Sequence, residues 1–259
     1  MAYHVSIMHT ILKATLVLAA CACGPATYAQ DPVRFLVVDG RSLPMGLMRN
    51  TPHGPELVDG LIKDWQDALA QELGRRPVHL VLPRKRQDWA VEGHKVDLRC
   101  FVSPEWLTQD IIAEYDWPAP FMEVEERVIG PAGAPPAQSL HDLEGKTIGG
   151  VHGYTYRKLD ALFASGKAKR EDAPGETALL LKQQAGRTDY SVMRMLDFQY
   201  LRRSDPRMAA LAISPFVVSR FPMYCARTKY SAVTLQELSA AQERLQQSGA
   251  LEKMLQKYR

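Results

Sequence analysis

"SLHDLEGKTIGGVHGYTYRKL", residues 139 to 159, decides how the rest of the chain is read. At its centre lies a short buried strand, Thr147 to Val151, which runs into a glycine turn at Gly153 and then into a helix. A strand that ends this way leaves backbone N–H groups unpaired at the positive end of a helix dipole, and such an end favours anions. Gly145, Gly149, Gly150 and Gly153 match neither G-x-x-x-x-G-K-S/T nor G-x-G-x-x-G, so the turn is not a nucleotide loop by pattern. A purely structural role fits the same residues, with Gly153 making a tight turn and Thr155 capping the helix.

Strands and helices alternate on both sides of this unit. "VRFLVV" (33 to 38), "PVHLVLP" and "VDLRCFV" read as buried strands, and "DGRSLPMGLM" as a turn-rich loop. "DGLIKDWQDALAQELG" puts Leu61, Trp65, Leu69 and Leu73 at helical spacing, with Gly74 as a stop. After the opening stretch come a helical "ETALLLKQQAG" and the strand "TDYSVM". Such alternation predicts an α/β protein with mostly parallel sheets, which bind ligands beyond the carboxyl ends of their strands.

Two extended segments, "FMEVEERVIGPAGAPPAQSL" and "LAISPFVVSRFPMYCARTK", divide the chain into two lobes joined by two crossings. A hinge over a cleft implies ligand capture. "TLQELSAAQERLQQSGALEKMLQKY" closes the chain as two helices, with Thr234 and Glu237 as a capping box and Gly249 as the break.

The beginning of the chain reads as an export signal. "MHTILKATLVLAACACGPATYAQ" has one Lys, no acidic residue and an apolar run from Ala14 to Ala22, too short to span a bilayer; translation could start at Met1 or Met8. Two endings fit it: cleavage after Ala29, giving a signal over 1–29, or lipidation of Cys21 in "LAAC". Both place the protein in the periplasm, soluble or lipid-anchored. About 230 residues remain, enough for one large domain or for two lobes with cores of their own. The net charge of +3 is spread over segments of mixed sign, which argues against nucleic acid as a partner. Cys100 and Cys225 are left in the body of an exported chain, either as a disulfide or as two buried thiols. Their spacing supports no metal, and no cofactor is expected.

In this order the features resemble the solute-binding proteins of family 3, two-lobed periplasmic binding proteins of the type II fold that serve ABC importers. The resemblance rests on five stretches: "DGLIKDWQDALAQELG"; "EGHKVDLRC", where the family has a G-x-x-D strand entry; "DLEGKTIGGVHGYTY", where it has L-x-G-K-x-V-G-V-x-x-G followed by two Thr or Ser; "QQAGRTDYSVM", where it has a G-R-x-D-A strand; and the final "LQQSGALEKMLQKY". It implies lobes of 31–123 plus 217–259 and of 124–216, each a mostly parallel sheet flanked by helices. It also implies a monomer whose partners are a small-molecule ligand and an inner-membrane ABC permease or a sensor protein.

The departures carry information about the ligand. Amino-acid-binding members clamp the ligand carboxylate with an Arg in a P-E-R-like stretch; here "SPEW" puts Trp106 there, beside Ser103. Their ammonium-pairing Asp, five residues after the Asp of the G-R-x-D strand, is Arg194 here, and the aromatic of the first loop corresponds to Met45. An ammonium beside Arg194 would be repelled, whereas a carboxylate or phosphate would be gripped bidentately. The ligand-binding set expected on these grounds is Met45, Arg99, Ser103, Trp106, Gly153, Tyr154, Thr155 and Arg194, with Arg84 and Arg86 as further first-lobe candidates. Arg194 could instead pair with Asp197 or Asp189. Some relatives of this fold are dehydratases of cyclic carboxylic acids, and the acid–base candidates for such chemistry are His152 and Glu105, neither with a recognisable partner.

Overall fold

The structure, a computed structural model, describes Met1 and residues 31–259; the export segment and Cys21 lie outside the described residues. The first lobe opens with β1 (Pro32–Val38), the hairpin β2 (Leu47–Thr51) and β3 (Gly54–Asp59), then α1 (Leu61–Glu72) and β4 (Arg76–Leu82). It continues through α2 (Gln87–Glu92), β5 (Leu98–Val102), α3 (Gln109–Ala113) and β6 (Tyr115–Asp116). β7 (Met122–Pro131) then crosses to the second lobe, which holds β8 (Thr147–Val151), α4 (Arg157–Ala164), β9 (Lys169–Ala173), α5 (Glu176–Gln184), β10 (Tyr190–Arg194) and α6 (Met195–Ser204). The single long strand β11 (Leu211–Thr228) returns to the first lobe, and α7 (Leu235–Gln247) and α8 (Ala250–Tyr258) complete it.

The strand order is β4-β1-β5-β11-β7-β10-β8-β9, with β6 on β11. β1 pairs in parallel with β4 and β5, and β8 in parallel with β9 and β10, while β7 and β11 join the two groups as antiparallel neighbours. Their ladder runs from Met122 opposite Met223 to Pro131 opposite Leu211, with register shifts on both sides of Val217. An irregular ladder of this kind is where two twisted sheets change direction.

The helices form because their apolar positions recur on one face. α1 buries Leu61, Ile62, Trp65 and Leu69, worth about 1.5–3 kcal/mol each when fully withdrawn from water. Trp65 stacks on Phe121 at 4.3 Å, so its loss to Ala would cost about 3–5 kcal/mol. The capping box of Thr234 and Glu237 starts α7, and Gly249, at φ +68°, breaks α7 from α8. One core joins α1 with α7 and α8, so the first lobe is built from both ends of the described chain.

Two local expectations are corrected. Part of the stretch read as a loop after β1 pairs as the β2–β3 hairpin, because Met48 and Leu57 meet on one face and pack on the core. The helix after β8 begins at Arg157 with Tyr156 at its N-terminal boundary and no side-chain cap, so Thr155 does not cap it. The glycines of β8 serve close packing instead: a Cβ on Gly150 would lie 2.8 Å from the Tyr156 ring.

Candidate functional site

The carboxyl ends of β1, β5, β8 and β10 converge on a cleft of about 120 Å³ between the lobes. On the first-lobe side, Arg41 follows β1, Arg84 follows β4, Arg99 lies in β5, and Trp106 stands in the turn beyond it. From the second lobe come Gly153, Tyr154 and Thr155, together with Arg194, the last residue of β10, and Glu126 from β7. Gly153 holds φ at +78°, which lets the chain leave β8 and pass along the cleft edge.

The lobes touch across this space. Arg157 Nη2 donates to the Glu105 carbonyl at 2.6 Å, and the Arg84 guanidinium lies 5.7 Å from the centre of the Tyr154 ring. Phe101, on the cleft wall, has φ at +54°, an uncommon conformation for a bulky residue. Its neighbour Cys100 is disulfide-bonded to Cys225, which ties β5 to the crossing strand β11.

A buried charge cluster backs the second-lobe wall. Arg194 Nη2 donates to Glu176 Oε1 at 3.0 Å, and Arg194 Nε forms an ion pair with Asp197 Oδ2 at 2.6 Å. The Tyr154 hydroxyl donates to the same Glu176 oxygen at 3.0 Å. Burial opposes the charge on Arg194, but Asp197 and Glu176 outweigh it and hold its pKa above the ordinary value. Burial likewise works against Glu176 ionising, and Arg194 overcomes it, leaving that acid below its usual range. Asp197 is pushed up to about 6 by burial, against the pull of Arg194.

Arg41 differs from Arg194. Its Nε and Nη1 are buried and meet no hydrogen-bond partner among the described residues. Burial lowers its pKa, with Tyr154, Glu176 and Asp197 near enough to resist and Arg194 near enough to add to the effect. Arg99, 8% exposed, donates to Gln87 Oε1 at 3.0 Å and has the Tyr115 hydroxyl close by.

Of the residues expected from sequence, Arg99, Trp106, Gly153, Tyr154, Thr155 and Arg194 border the cleft, and so does Arg84. Met45 does not: it is 3% exposed within the first-lobe core, where an apolar side chain of that loop is driven by packing with α1. Ser103 is fully buried and Arg86 is exposed, and neither lines the cleft. The alternative partner weighed for Arg194 is realised with Asp197, whereas Asp189 instead accepts from the Thr147 N–H. Arg41, Glu126 and Glu176 were missed. The available signal was the position of Arg41 just past a parallel strand's carboxyl end; nothing local marks the two acids.

No protein-family model matches the chain, and no curated protein matches it by sequence. Solved structures do match its fold. An ancestral arginine-binding protein bound to arginine superposes with a TM-score of 0.69 at 19% identity, over 89% of this chain and 99% of that one. A histidine kinase sensor domain with similarity to periplasmic binding proteins gives 0.68 at 19% identity, over 89% and 96%. An ancestral amino-acid-binding protein, a precursor of cyclohexadienyl dehydratase, gives 0.67 at 19% identity, over 88% and 95%. The chain has the two-lobed α/β fold of periplasmic binding proteins.

Proposed function

We propose that this is a periplasmic solute-binding protein that captures a small anion between lobes 31–123 plus 217–259 and 124–216, and delivers it to an inner-membrane ABC importer. One observation carries the ligand class: the buried Nε and Nη1 of Arg41, beside the cleft and without an acceptor among the described residues. A desolvated guanidinium with unmade hydrogen bonds is costly, and an anion relieves that cost by a charge-assisted, bidentate contact. Arg84 and Arg99 add positive charge on the same wall.

On this reading the anion-gripping role falls to the first lobe. Arg194 is already paired with two acids, so it orders the second-lobe wall more than it attracts ligand. A free ammonium brought near Arg41 would meet a repulsion of a few kcal/mol at an effective dielectric of about 20. Tyr154 and Thr155 supply second-lobe contacts, and closure follows because the ligand touches both lobes at once. Binding without chemistry is supported by the two acid–base candidates. His152 has its side chain 84% exposed, with only a 3.7 Å approach to Asp172, and Glu105 is exposed; neither lines the cleft.

The test is a thermal-shift screen of residues 31–259 against amino acids, dicarboxylates, aromatic acids, sugar acids and phosphate esters. A ligand at a hundredfold excess over Kd stabilises by about 2.7 kcal/mol, a readable shift. The expected outcome is stabilisation by anions alone. Stabilisation by ordinary amino acids in an Arg41→Gln variant as well as in the wild type would refute it.

A further inference from the structure

Glu126 is the acid that the pairing of Arg194 leaves over. It stands on β7 directly opposite Arg194 of β10, with Ser219 of β11 on its other side. It is 6% exposed and lines both the cleft and a small void behind it, and its Oε2 has no partner among the described residues. The groups facing it come from every surrounding element. They are Arg194 from β10, Asp197 from α6, Glu176 from α5, Tyr154 and Tyr156 from the segment after β8, Ser219 from β11, and Arg41, Arg84 and Arg99 across the cleft. Arg194, the nearest of the cations by register, is held by Glu176 and Asp197. Burial therefore outweighs its pull and pushes Glu126 up to about 7, with Asp197 adding to the rise.

Resting on the anion-capture reading above, we infer that Glu126 acts in its acid form as a hydrogen-bond donor to the bound anion, so that an anion enters this cleft together with one proton. A carboxylate only accepts hydrogen bonds, whereas a carboxylic acid can donate one. An anion next to ionised Glu126 would be repelled, and next to the acid it is bonded. The proton comes from solvent, stays on Glu126 while the anion is bound, and returns on release. The bound anion holds that proton more firmly than the free cleft does. Affinity is therefore greatest below the titration of the free acid and falls about tenfold per pH unit above it. Glu126 is thus a specificity-determining residue, favouring ligands with an acceptor at this point over those with a cation.

The experiment is calorimetric titration of the described chain and its Glu126→Gln variant with L-arginine as a cationic ligand and with the anions acetate, succinate, benzoate, gluconate and sulfate. These anions keep their charge from about pH 6.5 to 8.5, a range in which Asp197 stays mostly ionised. The tightest-binding anion should weaken about tenfold between pH 7.5 and 8.5 in the wild type, with uptake of about one proton measured in buffers of different ionisation heat. The Gln variant, a permanent donor, should bind it with no pH dependence and about thirtyfold tighter than wild type at pH 8.5. Wild-type binding that is flat with pH, or a Gln variant weaker at every pH, overturns the proton linkage and leaves anion capture standing. So would L-arginine binding that strengthens with pH and is lost in the Gln variant, since that assigns Glu126 to a ligand cation. Failure of all five anions to bind either protein overturns the linkage together with the anion-capture reading.

Discussion

Arg194 and Asp197, three residues apart where β10 turns into α6, meet as a buried ion pair at 2.6 Å, and Glu176 holds the other end of the same guanidinium. Removing one member of such a cluster strands the rest in a dry site. Arg194→Gln should therefore destabilise the fold by about 3–5 kcal/mol, read from the urea midpoint at constant slope. A variant of wild-type stability would show that this arginine is not needed by its two acids.

Arg41 should behave in the opposite way. Its buried Nε and Nη1 have no acceptor among the described residues to lose, so Arg41→Gln leaves stability unchanged or raises it by up to about 1 kcal/mol. The same substitution removes the anion-dependent thermal shift. Loss of stability together with retained anion binding would place the grip elsewhere.

The raised titration of Glu126 makes stability depend on pH with a definite sign. In the folded chain this group keeps its proton up to about 7, whereas unfolded it releases it near 4.5, so the folded state binds more protons in between. Its stabilising contribution is present below the unfolded value and is lost as pH rises through that window, by about 3 kcal/mol. Urea unfolding at pH 5 and pH 8 should show a larger fall in wild type than in Glu126→Gln. Equal falls would mean the acid titrates normally.

Cys100 and Cys225 face each other across β5 and β11, 125 residues apart, with the Trp65 indole N–H on the Cys225 sulfur at 3.3 Å. Closing so long a loop restricts the unfolded chain, and replacing both cysteines by Ser should cost about 2–4 kcal/mol. Mass spectrometry of the unreduced chain checks the bond directly; two free thiols would contradict it.

Trp106 lies at the cleft, 37% exposed and edge-on to Phe221 at 5.3 Å, while Trp65 is fully buried. Ligand entry changes the solvent around Trp106 and not around Trp65. Anion-induced change in tryptophan emission should disappear in Trp106→Phe with affinity altered less than threefold. Persistence of the full change would assign it to another tryptophan.

Much of the architecture was legible because it is written in local periods. Leu61, Trp65 and Leu69 announce α1, the run from Thr147 to Val151 announces β8, and Thr234 with Glu237 announces α7, since each pattern is complete within one or two turns of chain. The extended stretches that became β7 and β11 also announced two crossings, and hence two lobes. β11 being one continuous strand serving both sheets was not readable, because it pairs with β5, β6 and β7, which lie far from it in sequence.

By itself, then, the sequence determined the alternation of the main strands and helices, the glycine turn at Gly153 and the parallel-sheet edge where a ligand would sit. Only the tertiary structure decided which charges are spent and which are free. Glu176 reaches Arg194 from 18 residues upstream and Asp197 from the next turn of chain, while Arg41 Nε and Nη1 and Glu126 Oε2 meet no hydrogen-bond partner among the described residues. Hydrophobic periodicity is a property of neighbours in the chain. The pairing and titration of a buried charge depend on every group within a few ångströms in space, and those groups come from five separate segments of this protein.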